Sequence, residues 1–164
     1  FMKYVNFCLI ALFSLALSSG SVKDAAPSLG YYPGEIIPEI VLTDLEDDKY
    51  KLSEFKGNKV VVNFWATYDA HSRATNIRLH NYLKMIDSDV TFISIAFDEN
   101  INVLDRTMAM DNLDEHSLFC DVRGTESDLY RDFKLSRGFR SYLIDENGVI
   151  IAMNVTPEDL SIIL

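Results

Sequence analysis

Cysteine is nearly absent from this chain. It holds two, Cys8 and Cys120, and Cys8 lies inside the apolar stretch near the N-terminus. With that stretch removed, Cys120 stands alone, and an internal disulfide is excluded. Cys120 sits in the short run His116-Ser117-Leu118-Phe119-Cys120-Asp121, which reads as a strand carrying a buried small hydrophobe, since free cysteine is among the most buried residue types. Positive charge is scarce as well: 15 Lys and Arg stand against 25 Asp and Glu, a net charge of −10. That balance argues against nucleic acid or an anionic membrane surface as partner and favours solubility. There is no internal repeat and no low-complexity segment. The apolar run over residues 8–17 is too short to span a bilayer comfortably.

That run has another reading. Lys3 is the only charge before Lys23, and the run ends in Ser18-Ser19-Gly20-Ser21. A short basic region, an apolar core and small residues are the layout of a secretory signal, with cleavage expected after Ser21. Cys8 lies within the core rather than after it, so a lipoprotein anchor is not expected. Residues 1–21 are thus expected to direct export to the periplasm or another extracytoplasmic space, residues 22–33 to form a linker, and residues 34–164 to form one domain. Membrane contact is expected only through this segment, if it stays uncleaved.

Hydrophobic patterning predicts an alternating α/β domain. Residues 60–66 and 90–97 are nearly continuous apolar runs of strand length, as expected for sheet strands covered on both faces. Residues 73–86 place Ile77, Leu79, Tyr82, Leu83 and Ile86 at mixed three and four spacing, predicting an amphipathic helix. Further helices are expected over 102–112 and 125–134. Residues 141–144 and 149–154, joined through Asp145-Glu146-Asn147-Gly148, predict a hairpin with an Asn-Gly turn. Thr156-Pro157-Glu158-Asp159 opens a final helix, with Thr156 as N-cap and Pro157 at the first position.

Chemistry-bearing residues cluster after the first run, in Trp65-Ala66-Thr67-Tyr68-Asp69-Ala70-His71-Ser72-Arg73. Asp69 is suited to cap the helix that follows, and Arg73 is spaced for an i,i+4 pair with it. Asp69, His71 and Ser72 are the residue types of a nucleophilic triad, but adjacent helical residues diverge by about 100°, so His71 does not reach Ser72. Asp69 and His71 are too few ligands for a metal, and His80 and His116 have no sequence-near partner. No metal and no cofactor are expected. Asp98-Glu99-Asn100-Ile101-Asn102 begins like a calcium loop, but Val103 stands where glycine is needed and Ala109 where the closing glutamate belongs. Glu46-Asp47-Asp48 reads as an exposed hairpin turn.

The order Val60-Val61-Val62-Asn63-Phe64-Trp65-Ala66-Thr67, an aromatic, four residues and then Arg73-Ala74 resembles the extracytoplasmic thioredoxin-like proteins of the TlpA and ResA type, relatives of the AhpC/TSA family. The resemblance extends from about Gly34 to the C-terminus. It includes Tyr50-Lys51-Leu52-Ser53-Glu54-Phe55-Lys56-Gly57 and Tyr142-Leu143-Ile144-Asp145. It implies a thioredoxin-like fold, a central mixed β-sheet flanked by helices with an N-terminal β-hairpin extension.

In that family the four residues are Cys, two spacers and Cys, the first thiol activated at a helix N-terminus and the second resolving the mixed disulfide. Here they are Asp69, Ala70, His71 and Ser72. The family's cis-proline position falls on Phe139, its loop glycine on Arg137, its proton-transfer glutamate on Thr75 and a following proline on Ile77. A cis bond before a non-proline residue costs about 3–4 kcal/mol, so a changed loop backbone is expected. A peroxidatic role needs a threonine and proline framework that Cys120 lacks. The resemblance therefore implies a degenerate site at Asp69, Ser72, Thr75 and Phe139 with no catalytic residue. Tyr68, Asp69, His71, Phe139 and Arg140 are candidates for lining a retained groove for a protein or peptide. The alternative is a divergent thiol–disulfide oxidoreductase or peroxide-reducing enzyme of the AhpC/TSA type.

Overall fold

A computed structural model describes residues 26–86 and 89–164; the expected signal and the start of the linker lie outside the described residues. Two short strands, β1 (Val41–Thr43) and β2 (Lys49–Lys51), pair antiparallel through the exposed turn at 46–48. Then follow β3 (Val60–Trp65), α1 (Ala70–Ile86), β4 (Thr91–Ala96), α2 (Ile101–Asp111), β5 (Leu118–Cys120), α3 (Asp128–Asp132), β6 (Ser141–Ile144), β7 (Ile150–Met153) and α4 (Pro157–Ile163). The main sheet runs β5-β4-β3-β6-β7. β3 pairs parallel with β4 and antiparallel with β6, and β4 pairs parallel with β5. The apolar runs therefore lie side by side in one mixed sheet, as expected.

β3 is central because every one of its residues can be buried. Val60, Val62 and Phe64 face one core with Ile93, Ile95, Phe133 and Tyr142, while Val61 faces the other with Leu79, Leu83, Leu143 and Leu160. Burying such a side chain contributes about 1.5–3 kcal/mol. Helix α1 lies over the second face and sinks Ser72, Asn76, Leu79, His80 and Leu83. Its apolar stripe is narrower than the spacing suggested, since polar Asn76 and His80 are buried while Ile77 is only half-buried.

The helix ends follow local chemistry. Asn100 caps α2 through its side chain, and Asn112 closes it in the left-handed region. Thr156 and Asp159 form a capping box on α4 with Pro157 in the first turn, as expected. In the β6–β7 turn, Asp145 Oδ1 accepts the N–H groups of Asn147 and Val149, and Gly148 takes φ 86°, where a side chain is disfavoured. Two expectations need correction. The helix expected over 125–134 is broken at Ser127, which turns extended (φ −66°, ψ 140°) between a 3-10 turn (Gly124–Glu126) and α3. Ser127 is fully buried, and its hydroxyl donates to Asp121 rather than continuing a helix. Arg73 does not pair with Asp69; it makes a bidentate pair with Asp111 at 2.6 and 2.7 Å, joining α1 to α2.

Near the N-terminal boundary, Gly34 N–H donates to Ile150 O, and Tyr31 packs edge-on against Phe133 at 5.0 Å. Among the described residues, no helix is long and apolar enough to cross a membrane.

Candidate functional site

Strand β3 delivers the turn 66–69 to the start of α1. A buried acid beyond β4 fixes it: Asp98, 5% exposed, accepts the Thr67 N–H at 3.0 Å and also the Thr67 hydroxyl. Asp69 then caps α1, its Oδ1 accepting the Ser72 N–H at 2.7 Å. That bond, with lesser help from the Ser72 side chain and His71 and against partial burial, holds the Asp69 carboxyl below the ordinary range.

Ser72 is buried, and its hydroxyl is spent on the turn. It accepts the Ala66 N–H at 3.3 Å and donates to Asp69 O at 3.2 Å. Thr75 Oγ1 likewise donates to His71 O at 3.1 Å. His71 is exposed and bonds neither Ser72 nor Asp69. The acid–base–nucleophile relay is not formed, in line with the helical geometry. Among the described residues no group of three or more His, Cys, Asp or Glu could hold a metal.

The loop before β6 meets this turn in space. Phe139 is half-buried against Tyr68 at 6.4 Å, Phe97 at 6.1 Å and Tyr130 at 6.0 Å between ring centroids. Gly138 just before it takes φ 123°, and no cis peptide bond occurs among the described residues. The Arg140 carbonyl accepts the Phe64 N–H at 2.9 Å, tying the loop to β3.

Between α1, this loop and the start of α4 opens a cavity of about 650 Å³. His71, Ser72, Thr75, Phe139 and Arg140 line it, so the structure brings together three of the five groove candidates and three of the four degenerate positions. Tyr68 lies beyond Phe139, 62% exposed, and Asp69 stays at the helix cap outside the lining. Arg78, Asn63 and Asn154 also line the cavity, as do Arg137, read from sequence only as the altered loop-glycine position, and Thr156, read only as a helix cap; none of the five was a groove candidate. Arg78 follows Thr75 by three residues on α1, one turn along the same face, a signal that was present but unread.

Cys120 lies elsewhere, on edge strand β5. It is 7% exposed and close to Asp98 O at 3.6 Å. Burial pushes its thiol up to about 11, reinforced by Asp98, Asp121 and Asp105 and only partly opposed by the backbone bond. It is the only free cysteine among the described residues.

A family model described as redoxin matches residues 32–162. The chain belongs to the redoxin family. Among curated proteins it is 24% identical over 127 residues to the thioredoxin-like protein YneN of Bacillus subtilis, covering 77% of this chain and 74% of that one. A solved thioredoxin-like protein from Parabacteroides distasonis is 37% identical with a TM-score of 0.72, covering 83% of this chain and 96% of that one. The thioredoxin domain of a thiol-disulfide oxidoreductase from Bacteroides vulgatus shares the fold at 21% identity and TM-score 0.67, over 80% of this redoxin and 94% of that chain. The thioredoxin-like assignment and the mixed-sheet fold expected from sequence are therefore correct.

Proposed function

We propose that this redoxin is a thioredoxin-like domain without dithiol chemistry that binds a peptide or protein segment in the groove between α1 and the loop at Phe139. One observation carries the reading. At the start of α1, where the fold would present a nucleophilic thiol, Asp69 offers a carboxylate that caps the helix and Ser72 a hydroxyl consumed by the turn. A carboxylate and a hydroxyl cannot pass electrons to a disulfide, which needs two thiols and an activated thiolate. Cys120 supplies neither a partner nor activation, since burial raises its pKa. The proposal keeps the layout read from the sequence: export directed by residues 1–21, a linker over 22–33, and a binding domain over 34–164 in the periplasm or an equivalent compartment.

Thiol titration and an insulin-reduction assay on the purified protein test this together. The expected result is slow reaction of Cys120 at pH 7, fast only after unfolding, with no insulin reduction above the dithiothreitol background. Rapid labelling of a native thiol with measurable turnover would restore the oxidoreductase reading.

A further inference from the structure

We infer that the cavity between α1 and the Phe139 loop accepts an acidic peptide segment; this deepens the binding role proposed above and rests on it. The chain carries 25 acidic against 15 basic residues, yet the cavity lining contains Arg78, Arg137, Arg140 and His71 and no Asp or Glu. In so acidic a molecule, a lining with that sign reversal marks a place where negative charge is accepted.

The three arginines are not equally engaged. Arg78 donates to Glu158 at 3.0 Å, but both side chains are more than half exposed, and Glu158 lies outside the lining. An exposed pair of this kind is weakly held and can be exchanged for an incoming carboxylate. Arg137 is exposed and has no ion pair among the described residues. Arg140 contributes to the lining and its charge bears on Tyr142, opposing the rise that burial causes in that hydroxyl's pKa. Planar guanidinium groups suit carboxylates, which they can hold through two parallel bonds.

The rest of the wall suits a polypeptide. Asn154 offers an exposed amide group, and Phe139 and Pro157, both half-buried, offer apolar contact. A volume of about 650 Å³ is in the range of ligand sites and fits a few side chains of an extended segment. A long polyanion such as nucleic acid would meet the acidic surface outside the cavity, so the net charge of −10 favours a short acidic stretch within a peptide.

Two fluorescein-labelled peptides test the inference by anisotropy: one alternating Glu and Phe, and its counterpart with Gln for Glu. The acidic peptide is expected to bind about tenfold more tightly at 0.1 M salt, the preference shrinking at 1 M salt as the charges are screened. Combining Arg78→Gln with Arg137→Gln should bring the acidic peptide's affinity down to that of the Gln peptide, and Arg137→Lys should retain part of the preference. Arg106→Gln on exposed α2 serves as a control that should change nothing, and thermal melting checks that each variant is folded. Equal binding of both peptides overturns the acidic preference and leaves peptide binding standing. Binding of neither overturns both readings. A preference that survives the double variant, or a single-stranded oligonucleotide that displaces the acidic peptide, overturns the assignment of this cavity.

Discussion

The Asp98 carboxylate accepts the backbone N–H of Thr67 at 3.0 Å, so a buried acid just past β4 holds the turn that follows β3. This contact crosses the parallel β3–β4 pair at its C-terminal end, where Trp65 faces Ala96. It sets where the chain enters α1, and with it the position of every side chain on the cavity's helical wall.

Replacing Asp98 with Ala should therefore be costly. The variant leaves the Thr67 N–H and hydroxyl without their buried acceptor, and bonds to a charged group contribute about 1.5–3 kcal/mol. A loss of about 2 kcal/mol in urea unfolding is expected, with Asp98→Asn losing less because it keeps an acceptor oxygen. A change within 0.5 kcal/mol for Asp98→Ala would show that the turn is held by other contacts.

The Asp69 cap gives a pH-dependent contribution. Its carboxyl is held below the usual value by the Ser72 N–H, so the folded state binds this proton less readily than the unfolded chain, whose aspartate titrates near pH ~3.9. The contribution is fully present above that pH and is lost as pH falls through the lower folded-state value. Asp69→Ala should cost about 1 kcal/mol at pH 7. The wild-type advantage should fade in chemical denaturation below about pH 4.

His80 adds to this acid sensitivity in a higher pH window. It is buried, its Nε2 has no hydrogen-bond partner, and its ring packs against Phe92 at 6.2 Å. Burial chiefly, helped by Lys84 and opposed by Asp114, lowers its pKa. The unfolded chain takes up a proton near pH ~6.5 while the folded state resists it, so stability falls as pH drops from 7 toward 5. His80→Leu should flatten that slope in denaturant titrations over the same window. An unchanged slope would assign the acid sensitivity to other groups.

Much of this architecture was legible because it rests on short-range rules. The strands at 60–66 and 90–97 follow from nearly continuous apolar runs, and the caps at Asp69 and Thr156 from side chains that reach N–H groups in their own helix. What was not legible depends on distant partners. Arg73 was matched to Asp69 by spacing, but Asp69 is occupied by the Ser72 N–H, and Asp111 on α2 takes the guanidinium instead. The helix across Ser127 satisfied the local pattern, yet a bond from the Ser127 hydroxyl to Asp121 broke it. Arg78 and Arg137 come from segments 59 positions apart that only the fold brings to one cavity.

Beneath the site lies a buried polar chain that the single tryptophan can report. Trp65 Nε1 donates to Ser94 Oγ at 2.7 Å, Ser94 Oγ donates to Asn76 Oδ1 at 2.8 Å, and Asn63 Nδ2 donates to the same oxygen at 2.9 Å. Ser94→Ala removes the tryptophan's acceptor and should destabilise by about 1–3 kcal/mol, the cost of an unsatisfied buried group. Trp65 emission should shift measurably in the native variant, whereas Ser117→Ala, at a more exposed position, should leave it unchanged.

Restoring the dithiol should not by itself restore an efficient enzyme. Asp69→Cys with Ser72→Cys places two thiols in the first turn of α1, where unpaired N–H groups favour a thiolate at the first position. The double variant should oxidise to an internal disulfide, read as the loss of two titratable thiols without dimer formation. It also forfeits the Asp69 cap and the Ser72 bonds to Ala66 and Asp69, so it should be less stable when reduced than the wild type. Turnover of insulin should remain slow for two reasons visible in the structure. Phe139 fills the facing loop with a ring packed on Phe97 and Tyr130, and Thr75, whose hydroxyl donates to His71 O, cannot act as a carboxyl acid in proton transfer. A double variant that matched an unaltered thiol–disulfide oxidoreductase in the same assay would show that neither Phe139 nor Thr75 limits the chemistry.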